Sequence, residues 1–372
     1  MDKKIIGIDV SKKTLDVAFY DGKLKSHKKV SNDVTGFQEM EVWLSSLSLD
    51  GSECFFCMEH TGEYTYSLTA YLQEKEWAYS VVGGIDVKRY FPYRKGKSDK
   101  ADSAMIAQYA YERKEQLKLS KMRPSIVYQL RSLYNERNLY TKQRADLKAQ
   151  ITEDRIYDSE AKKLRLKRQI ENLSLAIREV ESEIQALIDS EESFHKNYDL
   201  CLTIPGIGKV SAWQIIIATG NFTAFKSARK FASYICVAPF PYASGTSIRG
   251  RDHTSHVGRK DIKATLTQAA KSASYHDTQT KEYLARKVSE GKNYGVVINA
   301  IRFKLLCRIF AVIKRQQPYV ETYAYKAKQN SSVGERRAAR GRTTGPDERN
   351  SSVGYTNLVK SSSLTIINPK YN

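Results

Sequence analysis

The sequence predicts a mixed α/β domain, then two long helices, then a second, mostly helical domain. Three observations carry this prediction. Short apolar runs alternate with amphipathic stretches before residue 125, apolar residues then recur every three or four positions between about 128 and 187, and helical periodicity returns beyond residue 200. We therefore divide the chain into residues 1–125, 126–198 and 199–325, followed by a tail over 326–372.

The first domain is predicted to contain five strands and three helices, the last of which is a helical run over 103–111. An apolar run at Ile5–Ile8 precedes Asp9, and a second extended stretch covers Leu15–Tyr20. Turn residues separate the first strands, which favours a meander. The later elements are a strand at 23–30, a helix at 36–47, a strand at 53–58, a helix at 64–74 and a strand at 79–82. Strands that alternate with helices after a meander indicate a mixed sheet.

The five cysteines are predicted to be structural thiols. Only Cys54 and Cys57 have the spacing of a metal-binding pair, and no second pair completes a zinc site. Both lie in the predicted strand 53–58, where residues three apart point to opposite faces. The odd number of cysteines and the lack of a signal peptide favour a reducing cytoplasm. No apolar run reaches the length of a membrane helix.

Two stretches have the spacing of coiled-coil helices. The positions from Leu130 to Ile151, and again from Ile170 to Leu187, step alternately by three and four residues. The strongly charged residues 152–167 between them predict an exposed connection. An antiparallel hairpin, an intermolecular coil and an amphipathic helix packed on its own domain all fit this spacing.

The charge of the chain indicates a polyanionic partner. Lys and Arg number 61 against 41 acidic residues, a net charge of +20. Each phosphate neutralised by such a surface releases counterions, so nucleic acid is the favoured partner over an acidic membrane surface. The tail over 326–372 is polar and basic, and it contains the pentapeptide Asn330–Gly334 again at Asn350–Gly354. This composition predicts disorder and no catalytic role.

Four carboxylates stand where a metal site could form. Asp9 and Glu59 each follow an apolar strand, and Asp99 and Asp102 precede a helical run over 103–111. The spacing of Asp99 and Asp102 places both on one face of a first helical turn. Four such carboxylates could hold two divalent metals about 4 Å apart, an arrangement that cleaves phosphate diesters. Alternatively, Asp99 is a helix cap, Asp102 a favourable first-turn charge and Glu59 an ordinary strand-end charge.

The stretches Ile6–Lys12, Met58–Gly62 and Lys97–Ala104 resemble the DEDD transposases of the IS110/IS1111 family. All four acidic positions match: Asp9, Glu59, Asp99 and Asp102. The resemblance implies that residues 1–125 form a RuvC-like domain of the RNase H-like fold, with Mg²⁺ or Mn²⁺ bound by these four residues. It continues at Thr203–Lys209, Phe225–Arg229, Ala243–Gly245 and Gly258–Lys263, which resemble the family's C-terminal transposase domain.

Several residues of the second domain are candidates for binding the nucleic-acid backbone. Pro205-Gly206-Ile207-Gly208 before a helical run could present backbone N–H groups to a phosphate, as in helix-hairpin-helix proteins, or could be a plain helix-entry turn. Lys209 adds a positive charge there. Four further basic residues are natural phosphate clamps: Arg249, Arg251, Arg259 and Lys260.

The resemblance also implies a serine nucleophile. A lone serine in a loop is usually structural. The family, however, has a nucleophilic serine directly before the glycine that corresponds to Gly245, so the resemblance makes Ser244 the candidate nucleophile. Ser247 is the nearby alternative. The stretch Asp252–His256 departs from the basic, Thr-Lys-like stretch usual in the family, which leaves the phosphate-contacting residues open.

The resemblance implies strand exchange through a covalent serine–DNA link, on the element's ends and its target, guided by a structured bridge RNA. It further implies a homodimer or homotetramer with an active site composed from two protomers. Two other functions compete with this one: a structure-selective endonuclease of the Holliday-junction resolvase type, which uses water instead of the serine, and a non-catalytic nucleic-acid-binding protein. Ser244→Ala distinguishes the first from a recombinase, and Asp9→Asn distinguishes the second.

Overall fold

The structure is a computed structural model that describes residues 3–91, 98–153, 158–240, 243–244, 248–250, 253–255 and 257–320, with only the backbone of 243–244 and 248–249. Residues up to Tyr319 belong to one compact unit. The predicted tail over 326–372 lies outside the described residues. No described helix is long and apolar enough to cross a membrane.

A five-stranded mixed sheet forms the N-terminal part of the chain, as the sequence predicts. Its strands are β1 (Lys4–Val10), β2 (Thr14–Tyr20), β3 (Leu24–Ser31), β4 (Cys54–Glu59) and β5 (Ala78–Val82). Their order is β3-β2-β1-β4-β5, with β1 antiparallel to β2 and parallel to β4. The associated helices are α1 (Val34–Ser46), α2 (Tyr66–Glu74), α3 (Gly84–Tyr90) and α4 (Asp99–Glu112). Helix α3 has no counterpart among the predicted elements.

The sheet has an apolar core on each face. Cys54 packs in the core that includes Met40 and Leu44 of α1, whereas Cys57 packs in the core that includes Ile106 and Ala110 of α4. The predicted placement of the two thiols on opposite faces is therefore confirmed, and both are buried free cysteines. Because β4 is covered on both sides, its sequence is a continuous apolar run and does not alternate with polar residues.

Gly7 allows α4 to lie directly on the sheet. A Cβ added at Gly7 would lie 2.3 Å from the backbone nitrogen of Ala107 and 2.4 Å from the backbone oxygen of Ser103. No side chain larger than hydrogen fits that gap. The close approach brings the first turn of α4 to the end of β1, where the carboxylates of the site come together.

The outer edge of β5 is covered by the segment that follows α4. Ser120 donates its backbone N–H to the Tyr79 oxygen (2.8 Å), and its Oγ accepts from the Val81 N–H (2.9 Å). Met122 N donates to Oε1 of Gln73. The opposite edge strand, β3, is exposed over much of its length and carries Lys25, Lys28 and Lys29, side chains that discourage further strand pairing.

The two predicted long helices are α5 (Ser125–Thr152) and α6 (Glu160–Asp189). Arg137 Nε lies 2.7 Å from Glu181 Oε1, and Arg144 Nη1 donates to Ser174 Oγ at 3.3 Å, so the helices run antiparallel. The connection spans only 153–159, and the expectation of a longer connection over 152–167 is wrong. Its charged residues continue the helix because Lys, Arg and Glu are good helix formers.

A helical region follows, with a core that includes the start of α5 and the end of α6. It contains α7 (Glu192–Leu202), α8 (Lys209–Thr219), α9 (Ala228–Tyr234), α10 (Lys260–His276), α11 (Thr278–Ser289) and α12 (Tyr294–Arg315). Ile126 and Leu130 of α5 and Val180 and Ile184 of α6 belong to this core. The amphipathic faces of the long helices are therefore partly buried within their own chain.

Short strands form a nested hairpin between α9 and α10. The outer pair is β6 (Pro239–Phe240) with β9 (His253–Thr254), and the inner pair is β7 (Ala243–Ser244) with β8 (Ile248–Arg249). Both pairs are antiparallel.

Candidate active site

A row of charged residues crosses three strands at one end of the sheet. Asp9 of β1 lies opposite Asp16 of β2, and Asp16 lies opposite Lys29 of β3. Directly opposite residues project from the same face of an antiparallel pair. Gly7, two residues before Asp9, faces α4, so Asp9 projects on the side of the sheet that α4 covers.

The first turn of α4 supplies two more carboxylates. Ser98 is the N-cap, since its side chain accepts a hydrogen bond from the Ala101 N–H, and Asp99 and Asp102 lie in the first turn. The alternative that Asp99 is the helix cap is therefore wrong. Acidic side chains near a helix N-terminus are favoured by the positive end of the helix dipole, which partly offsets the cost of collecting them here.

The structure brings three of the four predicted carboxylates together. Asp9, Asp99 and Asp102 each offer an oxygen, and these atoms all lie within 4.8 Å of one another. Glu59 is not in this group, but it lines the same cleft and repels Asp9 electrostatically. Its side chain lies against Gly84, where an added Cβ would come within 1.9 Å of Glu59 Oε1. We call Asp9, Glu59, Asp99 and Asp102 the acidic cluster.

The electrostatics at Asp9 reflect this crowding. Partial burial raises the pKa of Asp9 to about 6, and repulsion by Asp102, Asp99 and Glu59 adds to the effect. An ionised carboxylate in such a place is unfavourable unless a cation compensates it. The acidic cluster therefore has the electrostatic character of a cation-binding site.

Two side chains contact the neighbouring Asp16, which is 5% exposed, and Lys29 supplies a positive charge there. His27 Nε2 lies 3.0 Å from Asp16 Oδ1, and Lys29 Nζ lies 3.2 Å from Asp16 Oδ2. Lys29 Nζ also lies 3.3 Å from Asp99 Oδ2, so it connects Asp16 with the acidic cluster. Asp16, His27 and Lys29 are not among the predicted site residues; the alternation of residues in β2 and β3 is the sequence signal that relates them to the site.

The acidic cluster lines a cleft of about 620 Å³. One part of its wall is apolar and comes from α3 and α4, with Val87, Met105 and Ile106. The remaining polar lining residues are Ser11, Thr61 and Lys88. A cleft with apolar walls and a few converging charged groups is typical of an active site.

The residues present fit a divalent metal. Carboxylate oxygens are the ligands that Mg²⁺ and Mn²⁺ prefer, and Mg²⁺ is usually held by one or two protein carboxylates together with substrate phosphates. Three carboxylate oxygens within 4.8 Å, with the pKa of Asp9 raised by its surroundings, form a donor set of that kind.

The backbone of Ser244 lies in the inner strand pair, where it faces Ile248 across the hairpin, and Arg249 faces Ala243. Their side chains, and the whole of Ser247 and Arg251, lie outside the described residues. The role of Ser244 as the nucleophile therefore stays a prediction from the family resemblance.

The glycines before α8 have different roles. Gly206 has a φ of +89°, and a Cβ there would lie 2.6 Å from the Ala269 oxygen, so packing against α10 requires glycine. Gly208 has open space around its Cα and, like Lys209, is exposed at the start of α8, which has no side-chain cap. Gly208 and Lys209 remain accessible candidates for a phosphate.

Arg259 and Lys260 lie at the start of α10. Arg259 is already paired, because its Nε and Nη2 donate to the two carboxylate oxygens of Asp261 at 2.8 and 2.7 Å. A phosphate would have to compete with that carboxylate. Lys260 is exposed, and no ion pair of Lys260 with a carboxylate is among the contacts of the described residues.

Comparison with known proteins places the chain in a family. Residues 6–153 match the DEDD transposase profile of IS110 elements, described as "Transposase", and residues 198–285 match "Transposase IS116/IS110/IS902 family". The chain belongs to the IS110 family of transposases. The predicted family resemblance is thereby confirmed, and members of this family are transposases or recombinases that act on DNA.

Relatives within and around this family include proteins of similar length. A "Pilin gene-inverting protein" of Moraxella bovis is 28% identical over 326 residues, 86% of this chain and 98% of the relative. The protein of the same name from Moraxella lacunata is 27% identical over 326 residues, with the same coverage of both chains. The IS110 insertion element protein of Streptomyces coelicolor is 26% identical over 137 residues, 37% of this chain and 33% of the relative.

Proposed function

We propose that this IS110-family protein cuts and rejoins DNA strands, using metal ions held by the acidic cluster and Ser244 as the nucleophile. The observation that carries the proposal is the convergence of Asp9, Asp99 and Asp102 within 4.8 Å at one end of the sheet. Membership of a transposase family makes DNA the substrate. The substrate would be the ends of the mobile element and its target.

We assign the N-terminal sheet to the RNase H-like, RuvC-like class. The strand order β3-β2-β1-β4-β5, with an antiparallel meander followed by parallel strands, supports this assignment. So does the placement of Asp9 on the central strand, with Glu59 at the end of its parallel neighbour. The antiparallel helices α5 and α6 support an intramolecular coiled-coil hairpin.

In the proposed reaction, the hydroxyl oxygen of Ser244 gives up its proton and forms a bond to the scissile phosphorus while one bridging P–O bond breaks. The released deoxyribose oxygen takes up a proton. Attack by a deoxyribose hydroxyl on the phosphoserine link then forms a new diester and returns the serine, so the bond energy is conserved throughout. Mg²⁺ or Mn²⁺ bound by the acidic cluster would stabilise charge on the attacking and leaving oxygens.

The basic candidates of the helical domain position the DNA backbone in this proposal. Gly208 and Lys209 offer N–H groups and a positive charge at the start of α8. Arg249, Arg251, Arg259 and Lys260 follow Ser244 closely in the sequence. Gly206 belongs to the same turn but contributes through packing.

The test of the serine chemistry is a covalent adduct. Stalled reactions on element-end DNA should contain protein attached to DNA, and fragmentation of the tryptic peptide 231–249, which contains both Ser244 and Ser247, should place the adduct on Ser244. Ser244→Ala should abolish both the adduct and strand exchange. Asp9→Asn should abolish both as well. An adduct on Ser247 would move the nucleophile, and cleavage that persists in Ser244→Ala would instead identify a hydrolytic nuclease of the resolvase type.

The name of the Moraxella relatives supports joining as well as cutting, because inverting a gene requires DNA strands to be cut and rejoined. A structured bridge RNA and a dimeric or tetrameric assembly also belong to the proposal. Purification of the protein from its host, followed by sequencing of the bound nucleic acid and mass photometry, tests both. Recovery of one discrete element-encoded RNA with a dimer or tetramer is the expected result; monomers without such an RNA would contradict it.

A further inference from the structure

A second cleft lies beside the acidic one. It has a volume of about 570 Å³ and lies between the ends of β4 and β5, the start of α5 and the helical region. Its lining includes Lys121, Arg123, Arg131 and Arg259, and no Asp or Glu is among its described lining residues. We call it the basic cleft.

Consecutive residues at the ends of two neighbouring strands line the two clefts. Glu59 lines the acidic cleft, and the next residue, His60, lines the basic cleft. The same adjacency occurs after β5, where Gly83 lines the basic cleft and Gly84 lies against the Glu59 side chain. Tyr79 and Val81 of the basic cleft pack with the core under α1 and α2, whereas Val87 and Ile106 of the acidic cleft pack with the core under α4. The two clefts therefore open on opposite faces of the sheet, and a DNA strand bound in both passes around this end of the sheet.

Arg123 and Arg131 of the basic cleft are held in place by neutral groups, whereas Arg259 is paired with Asp261. Arg131 Nη1 donates to the Tyr66 hydroxyl at 2.7 Å. Arg123 Nη1 donates to the backbone oxygens of Ile217 (3.1 Å) and Ala218 (3.3 Å) at the end of α8. Burial and the nearby charge of Arg131 lower the pKa of Arg123. Two partly buried guanidinium groups that repel each other favour a bound anion.

Aromatic rings line the same cleft. The rings of Tyr66 and Tyr128 have centroids 4.3 Å apart at an angle of 59°, and the Tyr128 hydroxyl accepts a hydrogen bond from the Arg123 backbone N–H at 3.2 Å. Tyr234 is 41% exposed at the rim. Tyrosine rings beside arginines are the usual combination for binding an unpaired nucleotide, since every base has a face that stacks.

We propose that the basic cleft binds an unpaired nucleotide of the DNA strand whose scissile phosphate lies at the acidic cluster. Arg123, Arg131 and Lys121 contact the phosphate, and Tyr128 or Tyr66 stacks on the base. A cleft of this volume suits a single small ligand and excludes a duplex. The proposal rests on the proposed function, because the acidic cluster defines which strand enters.

The test uses the full-length protein in EDTA, so that no reaction occurs. A single-stranded oligo-dT that carries one 4-thiothymidine is crosslinked to the protein by near-ultraviolet light, and the crosslinked peptides are identified by mass spectrometry. We expect crosslinks in the segments that carry Tyr66 and Tyr128. Crosslinks confined to other parts of the chain would overturn the proposal.

Variants measure the contribution of individual groups. Arg131→Gln and Lys121→Gln should each weaken oligo-dT binding roughly three- to ten-fold and reduce the slope of log affinity against log salt by about 0.7 per lost phosphate contact. Tyr128→Leu should weaken binding roughly ten-fold with little change in salt slope. Arg178→Gln removes the same charge from an exposed position on α6 and serves as the control. Arg123 is not used, because it also supports the end of α8.

Competitors identify the ligand. Unlabelled single-stranded DNA should displace the probe, whereas a blunt duplex and millimolar inorganic phosphate should not displace it from the Tyr128 site. Single-stranded RNA that competes much better than DNA would replace the DNA assignment with an RNA one. Asp9→Asn should abolish strand exchange and keep the crosslink. If Asp9→Asn keeps both, the proposed function fails and the nucleotide site stands. If Arg131→Gln, Lys121→Gln and Tyr128→Leu all bind oligo-dT as the wild type does, the nucleotide site fails and the proposed function stands.

Discussion

Gly7 of β1 and Ala107 of α4 approach so closely that a Cβ on Gly7 would lie 2.3 Å from the Ala107 backbone nitrogen. This contact sets the height of α4 above the sheet. It therefore determines whether Asp99 and Asp102, in the first turn of that helix, reach Asp9. A glycine with no charge of its own thus controls the geometry of the acidic cluster.

Gly7→Ala should consequently weaken metal binding more than a typical core substitution would. The added methyl group has to push α4 away, which costs about 1–3 kcal/mol of folding free energy and separates the carboxylates. Thermal melts with and without Mg²⁺ measure both effects. Gly208→Ala, where a Cβ meets nothing within 4 Å, is the matched control. An unchanged metal-induced rise in Tm in Gly7→Ala would contradict this role of the contact.

The contribution of Asp9 to the stability of the metal-free protein should fall as pH rises from about 4 to about 6. The pKa of Asp9 is raised to about 6 in the folded state, so between its unfolded and folded pKa values the folded protein binds more protons than the unfolded one. The linkage then makes the free energy of unfolding fall with increasing pH. Asp9→Asn should remove this part of the pH dependence and be the more stable protein at pH 7, by about 1 kcal/mol after allowance for solvent screening.

Urea denaturation of the wild type and of Asp9→Asn, in EDTA at pH 4.5, 5.5, 6.5 and 7.5, measures the contribution of Asp9 to the free energy of unfolding and checks its sign. Asp21→Asn is the control, because Asp21 is an exposed carboxylate near Lys4 at the far end of β2. Mg²⁺ should reverse the trend in the wild-type protein, since the ion favours ionised Asp9. The same dependence of stability on pH in the wild type and in Asp9→Asn without metal would show that Asp9 is not crowded.

Lys29→Gln should increase the affinity for Mg²⁺ while it lowers the stability of the metal-free protein. Lys29 Nζ lies 3.2 Å from Asp16 and 3.3 Å from Asp99, so its loss leaves more negative charge near the acidic cluster. We expect the Mg²⁺ concentration at the midpoint of a titration to fall about two- to five-fold at low ionic strength. The effect is this small because exposed ion pairs are weak, and low ionic strength is needed because salt screens them. Lys28→Gln, on the same edge strand, should leave the midpoint in place. Weaker binding in Lys29→Gln would mean that the ammonium group helps to order the site.

Arg308→Met should destabilise the helical region strongly. Arg308 Nη1 lies 2.7 Å from Oδ2 of Asp277, whose side chain is fully buried, and Thr280 donates to the same oxygen. Removal of the arginine leaves a buried carboxylate without its cation, which costs about 3–5 kcal/mol. Arg315→Met, at an exposed position on the same helix, is the control. Asp277→Asn combined with Arg308→Met should recover part of the loss in a chemical denaturation experiment.

The elements of the fold that could be predicted are those with a clear periodicity of apolar residues along the sequence. The strands of the N-terminal sheet and the long helices α5 and α6 lie close to their predicted places, because alternation and three–four spacing report burial directly. The missed helix α3 is only seven residues long and mixes charged with apolar residues. Such a short stretch carries little periodicity.

The carboxylates of the site could be predicted from the sequence, whereas the residues that contact them and those of the basic cleft could not. Asp9 and Asp99 are recognisable from an apolar strand and a helix start, but Lys29 joins them only through strand register, which a sequence does not fix by itself. Arg131 and Tyr66 meet through packing between parts of the chain 65 residues apart. No local pattern marks such a pair.

The hydrogen bonds of Ser120 to β5 bear on where this protein can be divided. A fragment that stops after α4 would leave the Tyr79 and Val81 backbone groups open along the whole outer edge of the sheet, ready to recruit strands from other molecules. A fragment that extends through Met122 keeps that edge closed. Expression of the isolated sheet domain should therefore give soluble monomers only when the fragment extends through Met122, ten residues after the helix ends at Glu112.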